Sequence, residues 1–245
     1  MAGSTKLPLL LGLFGLCASA QTHTEPPALI RVVSNGATKP YANAKAPISL
    51  FGMRSISGQP ETWIIEAHNS FGSIEDLDKA LTAVADNEPP ASRMLVALYR
   101  PGLSYRPDEA IRMFPKARYF QITMYHIRPG TDSEFAEMVR LRRKSLDSIN
   151  LNRPDIAYHV ISGDSSGTYL FLGPLTTLRT LDTGLANNPI YADDIVDANI
   201  QASRKVARDA EIIRENLIFR IDPRISHVSE EFASGETEFW HGQKP

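Results

Sequence analysis

Two stretches of this chain, beginning near residues 48 and 156, run through the same succession of hairpin, helix and strand, and residues match as well as order. Thr62-Trp63-Ile64-Ile65 parallels Thr168-Tyr169-Leu170-Phe171, and Leu77-Asp78 with Leu81 parallels Leu181-Asp182 with Leu185. The run Leu95 to Ser104 parallels Leu217 to Ser226, with Tyr-Arg-Pro-Gly-Leu-Ser in the first copy set against Ile-Asp-Pro-Arg-Ile-Ser in the second. A unit written twice narrows the choice of fold, because each copy leaves a sheet face that the other can cover.

The second copy reads β-α-β-β-α-(α)-β, the split βαβ plan of ferredoxin-like domains. The expected fold is therefore α+β: tandem ferredoxin-like repeats packed sheet to sheet as an intrachain α/β barrel, with room for a cavity between the sheets. The first repeat, 21–117, is expected to be incomplete, since about 26 residues separate its start from its hairpin. The second spans 118–233 and carries an extra long helix, and 234–245 forms a weakly ordered tail in which Phe239 and Trp240 are the residues able to dock.

Local patterns supply the elements. Ala28 to Val33 fits either a short helix ending near Gly36 or a strand. Ile48–Ile56 and Thr62–Ala67 read as a hairpin. Ser73 with Asp76 is expected to cap a helix carrying Ile74, Leu77, Leu81 and Val84 on one face. Met94–Tyr99 and Arg118–Ile127 read as strands, and Asp108–Phe114 as a short helix or turn. Thr131-Asp132-Ser133-Glu134 reads as a capping box opening a helix to about Ile149. Ile156–Ser162 and Thr168–Leu172 form a second hairpin. Leu178, Leu181 and Leu185 suit a short helix, Pro189 opens a long one to about Asn216, and Leu217–Ile221 is a last strand.

Residues 1–20 have the form of a secretory leader: Lys6, an apolar run from Leu7 to Leu16, then Ala18-Ser19-Ala20. The run is too short to span a bilayer. A periplasmic or secreted protein with no membrane association after cleavage is expected. Cleavage would remove Cys17, the one cysteine in the chain, which excludes a disulfide scaffold and cysteine-based metal sites. The 26 Lys+Arg against 28 Asp+Glu argue against a nucleic-acid partner.

The run Tyr119-Phe120-Gln121-Ile122-Thr123-Met124-Tyr125-His126-Ile127-Arg128-Pro129-Gly130-Thr131-Asp132-Ser133-Glu134-Phe135 resembles the opening of dimeric α/β-barrel domains. That superfamily includes antibiotic-biosynthesis-monooxygenase-like and NIPSNAP-like proteins. The whole chain also resembles uncharacterised exported bacterial proteins with two such domains in tandem. The resemblance implies a fold more than an activity, because the superfamily hosts many functions.

The chemistry-bearing residues are sparse. Gly163-Asp164-Ser165-Ser166-Gly167 matches G-x-S-x-G, but a strand follows it at once, which suits a hairpin turn rather than a nucleophile elbow. Arg142 interrupts the apolar stripe Phe135, Met138, Val139, Leu146 and Ile149, so it needs a carboxylate, water or an anionic ligand. On the strand 119–127, Phe120, Ile122 and Met124 are expected to meet the helices, while Gln121, Thr123 and Tyr125 face the space between the sheets. His68, His126 and His159 lie on separate strands without metal-ligand spacing. Tyr99, Tyr158 and Tyr169 suit aromatic core filling, with lining the cavity as the alternative. The ligand-binding candidates are Gln121, Thr123, Tyr125, Arg142, His159 and His68, with no metal and no cofactor expected. The preferred reading is an exported module that holds a small aromatic or anionic ligand or associates with copies of itself. The alternative is a cofactor-independent monooxygenase, or other small-molecule enzyme, working through Tyr125, His159 or His68.

Overall fold

Eight short runs of alternating residues become eight strands in the computed structural model, which describes residues 25–36, 41, 49–83, 91–182 and 197–242. They are β1 (Leu29–Ser34), β2 (Leu50–Ser55), β3 (Thr62–His68), β4 (Arg93–Tyr99), β5 (Tyr119–His126), β6 (Ile156–Ser162), β7 (Thr168–Leu175) and β8 (Ile213–Ile221). The alternative left open at residues 28–33 is thereby decided in favour of a strand. The expected leader, the break at Glu88-Pro89-Pro90 and the helix start at Pro189 lie outside the described residues.

The strands close into one antiparallel barrel in the order β1-β3-β2-β8-β5-β7-β6-β4. Within each set of four, the order is fourth, first, third, second. The expected intrachain barrel is present, but its two sets of strands join edge to edge rather than stacking as separate sheets. The two sets are hydrogen-bonded along both edges, with Met53 opposite Ile221 and Leu98 opposite His159. Closure gives each of the eight strands a hydrogen-bonded neighbour on both sides.

The barrel interior is the main core. Ile30, Val32, Met53, Trp63, Ile65, Leu95, Ile122, Leu170 and Phe219 belong to one buried cluster. Phe120, Ile122 and Met124 belong to this inner cluster, whereas Tyr125 packs with Phe135 of the covering helix. The sequence expectation for β5 is thus inverted. Both faces of this strand are buried, one against the barrel core and one against helices, so alternation alone did not say which face was which.

Helices cover the outside: α1 (Phe71–Thr82), α2 (Pro107–Met113), α3 (Asp132–Ser148), α4 (Ala198–Asp209), α5 (Glu230–Ala233) and α6 (Thr237–His241). Helix α4 packs on α3. Two boundaries and one capping contact differ from expectation. The cap of α1 is Ser70, whose hydroxyl accepts from the Ser73 N–H, so Ser73 is inside the helix. Thr131 precedes α3 but makes no side-chain cap; its hydroxyl donates to the Arg128 carbonyl instead. The long second helix stops at Asp209, because Glu211 turns left-handed (φ 52°) and the chain enters β8 at Ile213. The tail is ordered from Ser234 to His241, with Trp240 buried against Phe51, Phe232 and Phe239.

Two matching clasps hold the barrel at one end. After β4, Ser104 Oγ donates to the Arg100 carbonyl and accepts from the Ala157 N–H. After β8, Ser226 Oγ donates to the Asp222 carbonyl and accepts from the Gly52 N–H. Tyr105 bridges Asp155 and His227 bridges Leu50 in the same sense.

Gly163 fulfils the turn reading of its motif. Its φ is +91°, and a Cβ there would run into the Met94 carbonyl oxygen and sit 2.7 Å from Leu95 Cα. Gly163→Ala should cost about 2–4 kcal/mol. The left-handed backbone accounts for about 1–2 kcal/mol, and forcing apart packed atoms accounts for the rest. Chemical denaturation would measure this, and a loss below about 1 kcal/mol would mean that the turn relaxes freely.

Candidate ligand-binding site

A pocket of about 70 Å³ with a mixed polar and apolar lining opens on the outer face of the barrel, over β5, β7 and β8 and beside the C-terminal half of α3. Four of the six candidate residues line it: Gln121, Thr123, Tyr125 and Arg142. They reach it from the outer face of β5 and from α3, not from between two sheets. Its size suits a few waters or one small oxyanion. Gly173 contributes no side chain where it pairs with Gln121, which keeps the floor open.

The charge at this pocket is one-sided. Among its described lining residues, Arg142, Arg153 and Arg214 stand against one carboxylate, Asp155. Arg142 Nη1 donates to Asp155 Oδ2 at 2.8 Å, and the side chain keeps 24% of its surface exposed. Burial works against the Arg142 charge, but the facing Asp155 carboxylate more than offsets it and holds the guanidinium above its usual value. Arg153 Nε and Nη2 are buried and have no hydrogen-bond partner among the described residues. Thr123 Oγ1 donates to Asn216 Oδ1 at 3.0 Å, and Asn152 and Asn216 complete the polar wall. Planar guanidiniums with spare N–H groups match carboxylate and phosphate oxygens.

The histidine candidates lie elsewhere. His159 is on the same outer face as Tyr125, but Tyr169 stands between them in the register. The His159 ring stacks on Tyr169 at 4.5 Å, and burial followed by the Arg100 charge lowers its pKa. His68 is on the other half of the barrel, with Nε2 2.9 Å from Glu66 Oε2 and Nδ1 3.0 Å from Ser73 Oγ. His126 Nδ1 meets Thr168 Oγ1 at 3.1 Å. Of the tyrosines, Tyr158 faces the barrel interior and Tyr169 faces outward. Among the described residues no group of three His, Cys, Asp or Glu side chains converges as a metal site.

Sequence reasoning missed Asn152, Arg153, Arg214 and Asn216. Arg214 and Asn216 fell inside the expected long helix, and Asn152 and Arg153 read as a connection before a strand. It also passed over Arg31 and Glu66, whose signal was visible: each is a single charge inside an otherwise apolar strand, LIRVVS and TWIIEAH.

No protein-family model and no characterised protein sequence matches the chain. Among solved structures, a proposed monooxygenase from Lactobacillus acidophilus NCFM is 8% identical and aligns over 80% of this chain and 94% of its own, with a TM-score of 0.47. An anthrone oxidase-like protein, 8% identical, aligns over 79% of this chain and 90% of its own, also at 0.47. A chlorite dismutase variant from Candidatus Nitrospira defluvii, 9% identical, aligns over 84% and 95%, again at 0.47. At these identities and scores the likeness says nothing of the chemistry.

Proposed function

We propose that this protein is an exported single-chain barrel that binds a small anion, a phosphate or carboxylate, in the pocket over β5, β7 and β8. The observation that carries this reading is the convergence of Arg142, Arg153 and Arg214 against one carboxylate, with two Arg153 nitrogens left without a partner among the described residues. An anion there would supply acceptors that the protein does not. Gln121, Thr123, Asn152 and Asn216 would orient it, and Tyr125 would form part of the floor. The leader-like pattern of residues 1–20 supports the export part of this reading.

The barrel itself reads as two ferredoxin-like repeats from one duplicated unit. The shared strand order and the paired clasps at Ser104 and Ser226 support that origin. With β1 in place, the incompleteness expected of the first repeat does not lie in its first strand; residues 37–48 apart from Tyr41 are outside the described residues.

Titration calorimetry with inorganic phosphate and a panel of small mono- and dicarboxylates tests the reading. Saturable binding of one class is expected, weakening as salt rises. Arg153→Ala and Arg214→Ala should each weaken it about tenfold or more, the loss of one charge-assisted hydrogen bond. Arg142→Ala would also leave the buried Asp155 unpaired, so its effect mixes binding with stability. Absence of saturable binding by any anion would remove the proposal.

Self-association is a second reading with its own observation. Met94 and Leu98 on β4 and Ile161 on the adjoining β6 are exposed, at 56%, 37% and 45%. Light scattering across a concentration series would distinguish a monomer from an assembly buried on that face.

A further inference from the structure

A second constellation lies across the barrel from the anion pocket and does not depend on it. Glu66 Oε2 is 2.9 Å from His68 Nε2, and His68 Nδ1 is 3.0 Å from Ser73 Oγ. Carboxylate, imidazole and hydroxyl therefore stand in hydrogen-bonded sequence. Glu66 and His68 are buried, while Ser73 is only partly covered and lines a cavity of about 870 Å³. That volume falls in the range of ligand sites, about 300–1,000 Å³. The cavity occupies the mouth of the barrel, where Ile30, Phe51, Ile65, Phe120 and Phe232 make it apolar. The charged side chains among its described lining residues are all acidic: Glu25, Asp76 and Glu231.

We propose that Ser73 is the nucleophile of an ester-hydrolysing site whose substrates have an apolar acyl chain and no negative charge. In the first step Ser73 Oγ bonds to the ester carbonyl carbon as its proton passes to His68 Nδ1. The bond from that carbon to the alkoxy oxygen then breaks, and the leaving alkoxide takes the proton from His68. Water repeats the sequence on the acyl-serine, giving the carboxylic acid and restoring the hydroxyl. In the resting structure Ser73 Oγ donates to the Ser70 carbonyl at 2.7 Å, so a rotation of the hydroxyl hydrogen starts the step.

The surrounding charges suit a transient imidazolium. Arg31 from β1, Glu66 from β3 and Asp78 from α1 form one ion cluster, with Tyr41 donating to Glu66 at 2.7 Å. Two carboxylates against one guanidinium leave one negative charge, which a protonated His68 would balance. First-turn N–H groups of a helix have no partner within it. Ser70 Oγ takes that of Ser73, leaving those of Phe71 and Gly72 to receive the developing oxyanion. The acidic rim would repel the carboxylate product and aid its release.

The full chain should be treated with a fluorophosphonate probe and, separately, with p-nitrophenyl acetate, butyrate and octanoate and an ester carrying an acyl carboxylate. The expected result is a probe adduct on Ser73 by peptide mass spectrometry and hydrolysis that prefers uncharged, longer acyl chains. Ser73→Ala should abolish both, and His68→Gln should lower them at least 100-fold. Circular dichroism checks that His68→Gln still folds. If it does not, Ser73→Cys carries the test, since a thiol facing His68 should react with iodoacetamide faster in folded than in unfolded protein. Absence of a Ser73 adduct, hydrolysis that survives Ser73→Ala, or a Ser73→Cys variant no more reactive folded than unfolded would overturn the proposal.

Discussion

Replacing Glu66 with alanine should cost about 3–5 kcal/mol, the loss expected when a buried ion pair keeps one partner. Glu66 is fully buried and accepts from Arg31 Nε at 2.7 Å, from Tyr41 at 2.7 Å and from His68. Its removal would leave the Arg31 side chain, only 8% exposed, with Asp78 as its remaining carboxylate. The same change made after Arg31→Ala should cost much less, and a double-mutant cycle by chemical denaturation would measure the coupling. The pH dependence has a definite sign. Burial would raise the Glu66 pKa, but hydrogen bonds from His68 and Arg31, the Arg31 charge and the Tyr41 hydroxyl together hold it below the usual range. A lowered folded-state pKa gives stability that is complete above the unfolded value of about 4.3. That stability is lost as the pH falls through the folded value. The gap between wild type and Glu66→Ala should therefore be constant above about pH 5 and shrink in more acidic solution. A gap that grows on acidification would contradict this account of the cluster.

Trp240→Ala should be comparably damaging, at about 3–5 kcal/mol, although the residue lies near the chain end. Its ring is 2% exposed, packs against Phe239 at 4.9 Å and Phe232 at 5.4 Å, and its Nε1 donates to the Pro115 carbonyl at 2.8 Å. Truncation would open a void beside the barrel core and leave that carbonyl without its partner. For a chain of this size the midpoint of thermal unfolding should fall by on the order of 10 °C. Phe71→Ala provides the contrast, because Phe71 is 62% exposed and its loss should be nearly neutral. Equal midpoints for Trp240→Ala and wild type would mean that the docked tail adds nothing to the stability of the barrel.

Much of the strand pattern was legible because alternation at period two is local, and each strand buries at least one face. The second hairpin and the turn at Gly163 follow the same local logic. The capping details went wrong at single residues: Ser70 rather than Ser73 caps α1, and Thr131 holds the N-cap position of α3 but turns its hydroxyl to Arg128, choices that only the path of the backbone makes. The helix from Pro189 was drawn too long because Ile213 continues a helical apolar period while also starting β8. A left-handed residue at Glu211 separates the two, and nothing in a glutamate announces that conformation.

The candidate site was half visible. Arg142 was found because a charge in an apolar helical stripe needs a partner, and Gln121, Thr123 and Tyr125 because they make one face of a strand. Which way that face points was not a local property. It depends on closure of the barrel, which turned Phe120, Ile122 and Met124 inward and the polar row out under α3. The amino-acid sequence by itself set the strands, the repeated order and the isolated charges, since these arise from neighbours along the chain. Only the tertiary structure decided that Glu66, His68 and Ser73 meet, that three arginines share one pocket, and that the two edges join, because each depends on groups brought together across strands far apart in sequence.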